Sequence, residues 1–114
     1  MSDTNTKLFK ALSDPGRLRI LKMLQYRSLC VCEITSVLKL APSTVSKHLQ
    51  ILKEAGFIIE EKDGKWVNYK LNSSSTDPRV ISILTTLDFW ITDRINIEKD
   101  KELVLKVDRV LLCK

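Results

Sequence analysis

The stretch Cys32–Gly56, CEITSVLKLAPSTVSKHLQILKEAG, decides how this chain is read. Cys32 to Lys39 carries Ile34, Val37 and Leu38 at the spacing of one helix face and predicts a short helix. Leu40-Ala41-Pro42 is a tight break. Pro42-Ser43-Thr44 then opens a second helix, over 42–55, with Gly56 in the left-handed position beyond its end. At about 100° per residue, Val45, Leu49 and Leu52 fall within roughly 60° of one another and make a buried stripe. Ser43, Ser46, Lys47 and Gln50 take the opposite side, and none of them is apolar.

Working outward, Phe57–Lys62 and Lys65–Leu71 are strand candidates, and Asp63-Gly64 between them is a strong two-residue hairpin signal. Upstream, Asp14-Pro15-Gly16 predicts a helix start with Asp14 as N-cap and Pro15 at the first helical position, running to about Gln25. A short apolar stripe, Leu8, Phe9, Ala11 and Leu12, precedes it. Downstream of the polar connector 72–78, Val80, Ile83, Leu84, Leu87, Ile91 and Ile95 recur at helical spacing. Glu98 to Asp100 is the expected interruption, after which Leu103, Val104, Val107, Val110 and Leu111 resume the pattern.

Helix, short turn, helix and hairpin is the order of a winged helix-turn-helix, a mainly α fold with a small β-hairpin, here one domain over residues 1–114. A helix entering a major groove needs short hydrogen-bonding side chains near its N-terminus. Ser43, Thr44, Ser46, Lys47 and Gln50 meet that need. Lys62 and Lys65 flank the hairpin tip and suit phosphates or a minor groove, with Asp63 the less welcome member of that wing over 57–71. His48 flanks the buried stripe and reads as a structural hydrogen-bonding residue rather than a base reader or metal ligand. The apolar stripe of the C-terminal helices, over about 78–112 and including Trp90, suits a second copy of the chain. A two-fold homodimer would set its two reading helices about 34 Å apart, one turn of DNA.

The charge pattern agrees. The 114 residues carry a net charge of +5, of which +3 lies in residues 1–38, +2 in residues 39–70 and none in residues 71–114. An acidic partner docking on the first 70 residues is expected, and double-stranded DNA is the usual one. No apolar run approaches the roughly 18–20 residues that cross a bilayer, and MSDTNTKLFK has no apolar signal core, so a cytoplasmic protein without a membrane partner is expected.

Two of the three cysteines, Cys30 and Cys32, stand one residue apart just before the first helix of the pair. That is a poor disulfide framework, and in a reducing compartment such a pair points to metal or redox chemistry. A helix start favours the thiolate through the positive end of the dipole. On a regular helix two residues two apart point about 200° away from each other, so one ion held by both sulfurs would have to distort this first turn. A buried structural pair is the plain alternative, since free cysteine is among the most buried residue types.

Several runs together resemble one family. Ser28-Leu29-Cys30-Val31-Cys32-Glu33-Ile34 is similar to the ELCVCDL metal box of the arsenical-resistance repressors, the ArsR/SmtB type. Pro42–Leu49 with Leu52-Lys53-Glu54-Ala55-Gly56 resembles that family's recognition segment. Ala11–Leu21 resembles its ALADPTRLRIL opening, and Gly64–Tyr69 its wing. The resemblance covers about residues 8–71. It implies a dimeric repressor that leaves its operator when an inducer binds. For members with the CVC box the inducer is As(III) or Sb(III), both three-coordinate and thiophilic, with no organic cofactor. Carried over, Cys30 and Cys32 would hold the ion. The family's box often has a third cysteine where this chain has Thr35, which leaves Cys113, from this or a second subunit, as the remaining thiol donor; otherwise solvent completes the site. A zinc site of histidines on the C-terminal helix is excluded, because the single histidine is His48.

A thiol redox sensor of the same fold, using Cys30 or Cys32 with Cys113, would look the same in sequence. A winged helix serving as a protein–protein module is a third reading, and the polar, basic face of residues 43–50 argues against it. No Ser-His-Asp set, phosphate loop, HExxH run or paired carboxylates is present, so an enzyme is not expected.

Overall fold

The computed structural model describes residues 3–91 and 94–108 of the chain. Its elements are α1 (Asp3–Leu12), α2 (Pro15–Leu24), β1 (Leu29–Cys30), α3 (Val31–Leu38), α4 (Pro42–Glu54), β2 (Ile58–Asp63), β3 (Trp66–Leu71), α5 (Pro78–Thr85), α6 (Leu87–Trp90) and α7 (Arg94–Lys106). The strands form one antiparallel sheet in the order β1-β3-β2. This is a winged helix-turn-helix.

Local chemistry starts each helix of the reading unit. Asp14 sits in extended backbone, and its Oδ2 accepts from the Arg17 amide at 3.1 Å, with Pro15 next in line, so α2 begins where its N-cap dictates. Its last residue is Leu24, and Gln25 caps its C-terminus. Lys39 closes α3 in the left-handed conformation, φ 57°, and its amide returns to the Thr35 carbonyl. That turn sends the chain into α4, whose first residue is Pro42. Gly56, at φ 90°, ends the unit.

The core lies where α2, α3 and α4 meet: Ile20, Leu21, Met23, Ile34, Val45, Leu49 and Leu52 are buried together with Phe57 and Ile58 at the start of the wing. Val80, Leu87 and Val104 close it from the C-terminal helices. Arg19 grips Asp100 with two hydrogen bonds, 2.8 and 2.7 Å, and Lys22 pairs with Asp88, so α2 carries both α7 and α6.

Two expectations of the fold need correction, and one element was not expected. The hairpin turn is Gly64-Lys65, not Asp63-Gly64, because Asp63 pairs with Trp66 across the ladder. Gly64 alone takes a positive φ there, 62°, the requirement of the first position of a type II′ turn. The C-terminal pattern breaks at Thr86 and again after Trp90, while Glu98 to Asp100 lies inside α7. Thr85 and Thr86 return their hydroxyls to the carbonyls of Ile81 and Ser82, at 2.6 and 2.8 Å, and such back-bonding bends and ends helices. Finally, Leu29 and Cys30 form a strand, β1, that no periodicity announced. Val110, Leu111 and Cys113 lie outside the described residues, as does the side chain of Ile95.

Candidate nucleic-acid interface and thiol segment

The outer face of α4 is open. Ser43, Thr44, Ser46, Lys47 and Gln50 are all exposed, and Val45, Leu49 and Leu52 are all buried. Gln50 donates to Glu54 Oε1 at 2.9 Å along the helix, a bond it must exchange before its amide can meet a base. Lys53 reaches across to Glu60 at 2.7 Å and pins the end of α4 to β2. Lys70 likewise pairs with Glu61 at 2.7 Å, so two of the three acidic residues of β2, Glu60 and Glu61, are each matched by a lysine. Lys62 lies on β2 and Lys65 in the turn, its ammonium 5.0 Å from the centroid of the Trp66 ring. That contact braces the wing tip while leaving Lys65 exposed.

His48 turns inward. Its Nδ1 lies 3.2 Å from Arg17 Nη1 and its Nε2 lies 3.5 Å from Asp14 Oδ2. The expected structural hydrogen-bonding role is the one its surroundings allow.

Cys30 and Cys32 are placed very differently. Cys30 ends β1, opposite Asn68 of β3, and is also the N-cap of α3, with φ −91° and ψ 170°. Only 4 % of it is exposed, and its amide donates to Glu33 Oε1 at 3.0 Å. Burial pushes this thiol above its ordinary range, and the Glu33 charge beside it raises it further. The expected thiolate is thus corrected at Cys30: loss of water on burial is the largest influence and favours the protonated thiol. Its extended backbone also takes it off the helical wheel, so the angular argument for unwinding α3 does not apply to it.

Cys32, in the first turn of α3, is half-buried and held in a disulfide, whereas Cys30 is a free thiol, so the bond does not join the two. A disulfide at Cys32 departs from the expectation that cysteines so spaced are a poor disulfide framework. Cys32 borders a cleft of about 300 Å³ with Val31, Thr35, Ser36 and Pro42, between α3 and the start of α4. Thr35 Oγ1 beside it is buried without a hydrogen-bond partner. Among the described residues no group of three or more His, Cys, Asp or Glu side chains could hold a metal ion.

Glu33 was not singled out in the sequence. It is buried, 3 % exposed, and its second oxygen accepts from Arg27 Nη2 at 2.9 Å. Arg27 in turn donates to the carbonyls of Val104 and Val107 at the end of α7, at 3.0 and 2.9 Å. An acidic residue three positions after an N-cap was the available signal.

Residues 14–60 match the model of the bacterial regulatory protein arsR family. An uncharacterized HTH-type transcriptional regulator of Methanocaldococcus jannaschii is 43 % identical over 83 residues, 72 % of this chain and 89 % of that one. The chain belongs to the ArsR family. Its members are transcriptional regulators, and this ArsR-family chain is a DNA-binding regulator, not an enzyme. The arsenical resistance operon repressor of Escherichia coli is 40 % identical over 67 residues, covering 58 % of this chain and 57 % of that repressor. Among solved structures, HlyU from Vibrio cholerae superposes with a TM-score of 0.63 at 31 % identity, over 77 % of this chain and 91 % of that one. No helix among the described residues of this ArsR-family protein is long and apolar enough to cross a membrane.

Proposed function

We propose that this chain is a cytoplasmic, homodimeric repressor that leaves its operator when As(III) or Sb(III) binds Cys30 and Cys32. Ser43, Thr44, Ser46, Lys47 and Gln50 meet base edges and phosphates of double-stranded DNA, and Lys62 and Lys65 hold phosphates from the wing. The observation that carries the inducer reading is the position of Cys30 at the joint of β1 and α3, paired with the wing strand. Arsenite exchanges two hydroxyls for two sulfurs, each leaving as water with a thiol proton, and soft thiolates outcompete oxygen donors. To reach an ion shared with Cys32, Cys30 must leave its buried place. That gives up the two-residue β1–β3 pairing and the Glu33 cap together, so one event shifts both α3 and the wing. The relative in E. coli, named as an arsenical resistance repressor, supports the choice of ion.

The second copy sits on the face made by α1, α5 and α6. Phe9, Phe89 and Trp90 are 72, 83 and 73 % exposed there, and Phe9, Leu12, Leu18, Ile83 and Trp90 line a groove of about 410 Å³. Apolar patches of this kind mark interfaces.

The disulfide at Cys32 favours a second reading, a thiol redox switch, in which peroxide takes two electrons and two protons from a pair of thiols and leaves as two waters. Cys113 is the proposed partner or third ligand.

Operator release, read by fluorescence anisotropy on a labelled duplex selected from a random library by the wild-type chain, tests both readings. Reduced wild type, Cys30→Ser, Cys32→Ser and Cys113→Ser are titrated with arsenite, antimonite and peroxide at fixed salt. Serine is a favoured N-cap, so the Cys30 variant keeps the start of α3. Release by arsenite that is lost in the Cys30 and Cys32 variants is expected. Release by peroxide alone, lost with Cys32 and Cys113, would replace the metalloid reading with the redox one.

A further inference from the structure

Apolar packing alone leaves the recognition helix free to roll. The stripe Val45, Leu49 and Leu52 fixes which side of α4 faces the core, but hydrophobic contact has no direction of its own. A roll of about 20° at a helix radius of roughly 5–6 Å moves a side-chain tip by about 2 Å. A reading constellation tolerates roughly 0.5 Å. A directional hold on α4 has to come from outside the stripe; Lys53–Glu60 supplies one between exposed side chains at its C-terminal end, which leaves its inner flank to be fixed.

Arg17 is the group placed to do this. It is 8 % exposed, near the start of α2. Its Nε donates to the Ala11 carbonyl at 2.9 Å, and its Nη2 donates to the Lys10 carbonyl at 2.8 Å, both at the C-terminal end of α1. Its Nη1 meets His48 Nδ1 at 3.2 Å, on the inner flank of α4. A guanidinium has only donors, so Nδ1 must accept, which puts the proton of the neutral ring on Nε2. That nitrogen faces Asp14 Oδ2, the same oxygen that accepts from the Arg17 amide. Arg17 and Asp14 are thus the charged groups in direct contact with this ring among the described residues. Gly16 makes the approach close: a β-carbon there would stand 3.0 Å from Asp14 Oδ2 and 3.1 Å from His48 Nε2.

We propose that Arg17 and His48 are positioning residues for DNA reading, one planar guanidinium locking the roll of α4 to the end of α1 and the start of α2. Three elements converge on one side chain. Its fork geometry gives the directional constraint that the apolar stripe lacks. The inference rests on α4 being the helix that meets DNA and is independent of which inducer acts on the cysteines.

Isosteric replacement tests it. Asn places an acceptor where Nδ1 stands, and Gln places an amide near Nε2. The full-length chain is prepared as wild type, His48→Asn, His48→Gln, His48→Ala and Arg17→Lys. Hydrogen exchange of the α4 amides is measured without DNA, and affinity for the wild-type-selected duplex is measured by anisotropy. Loss of a charge-assisted bond is expected to speed α4 exchange and weaken operator binding about tenfold in the Ala, Gln and Lys variants. His48→Asn is expected to stay within about threefold of wild type on both. Equal exchange in His48→Ala and wild type would overturn the proposal, as would rescue by Gln but not Asn. Weakened binding by His48→Ala with unchanged exchange would also overturn it, making His48 a DNA contact. If wild type selects no duplex, the reading of α4 fails instead, and the exchange data alone decide whether the lock exists.

Discussion

Cys30 and Asn68 face each other across the β1–β3 ladder, so a buried thiol and a strand of the wing share one small piece of sheet. The same residue caps α3, the first helix of the reading pair. A covalent event at one sulfur therefore acts on both halves of the DNA-reading unit. No relay of intervening side chains is needed.

Burial makes Cys30 a reluctant thiolate, and this has a pH signature. Its folded pKa is raised above the unfolded one, so the native state binds the proton more tightly. The stability it contributes is complete below the ordinary thiol range and is lost as pH rises through the raised value. Urea unfolding of wild type should weaken with alkali above that range more than unfolding of Cys30→Ala. Alkylation of Cys30 by iodoacetamide in Cys32→Ser/Cys113→Ser protein should likewise be slower at neutral pH than that of an exposed thiol. Equal rates in folded and unfolded chain would refute the burial argument.

Glu33 ties three segments, and removing it should be felt in each. Its oxygens hold the Cys30 amide and Arg27, which holds the end of α7. Arg27 is about a third exposed, so its loss of partner is partly answered by water. Glu33→Ala should cost about 2 kcal/mol, less than a fully buried pair would. Urea denaturation measures that loss. Faster hydrogen exchange at Leu103–Val107 and faster Cys30 alkylation should accompany it. A loss of stability with α7 exchange unchanged would mean that Arg27 does not hold that helix.

Much of the fold was readable because chemistry punctuates it locally. Asp14-Pro15 starts α2, Pro42 starts α4, and Gly56 ends it, each with a residue whose backbone preference admits little else. The open face of α4 followed from helical periodicity alone. β1 was not readable, because two residues have no period and pair only where β3 offers an edge. The one-residue error at the hairpin has a similar origin. Gly64 announces a turn, but strand register decides which turn position it takes. The burial of Cys30 was hidden with β1, and with it the direction of its pKa. The break at Thr86 was present in the Thr85-Thr86 pair, whose side chains compete for the carbonyls a longer helix would need.

Reading face and wing should separate by salt. Lys62→Ala and Lys65→Ala are expected to weaken binding to selected and unrelated duplexes alike, each reducing the slope of log K against log salt by about 1. Gln50→Ala should leave that slope unchanged and lower affinity for the selected duplex alone, by about 1–3 kcal/mol if it contacts a base edge. The Gln50–Glu54 bond adds a control: Glu54→Ala frees the amide and should not weaken binding. An altered salt slope for Gln50→Ala would place its contact on phosphate instead.

The exposed aromatic face gives the last prediction. Leaving Phe9, Phe89 and Trp90 in water costs roughly 25 cal/mol per Å² of apolar surface, and a second copy laid across α1 and α6 removes that cost. Trp90 is 73 % exposed and its indole Nε1 donates to Thr86 Oγ1 at 2.9 Å, one turn back on the same stretch of chain, so a charge there should disturb assembly before fold. Trp90→Glu should sediment as a monomer with the circular dichroism of wild type. Its affinity for a duplex carrying two half-sites should fall toward that for one, while Gln50→Ala leaves the dimer intact. Wild type that sediments as a monomer at micromolar concentration would remove the second copy from the proposal. Trp90→Glu that remains dimeric would move the interface off this face.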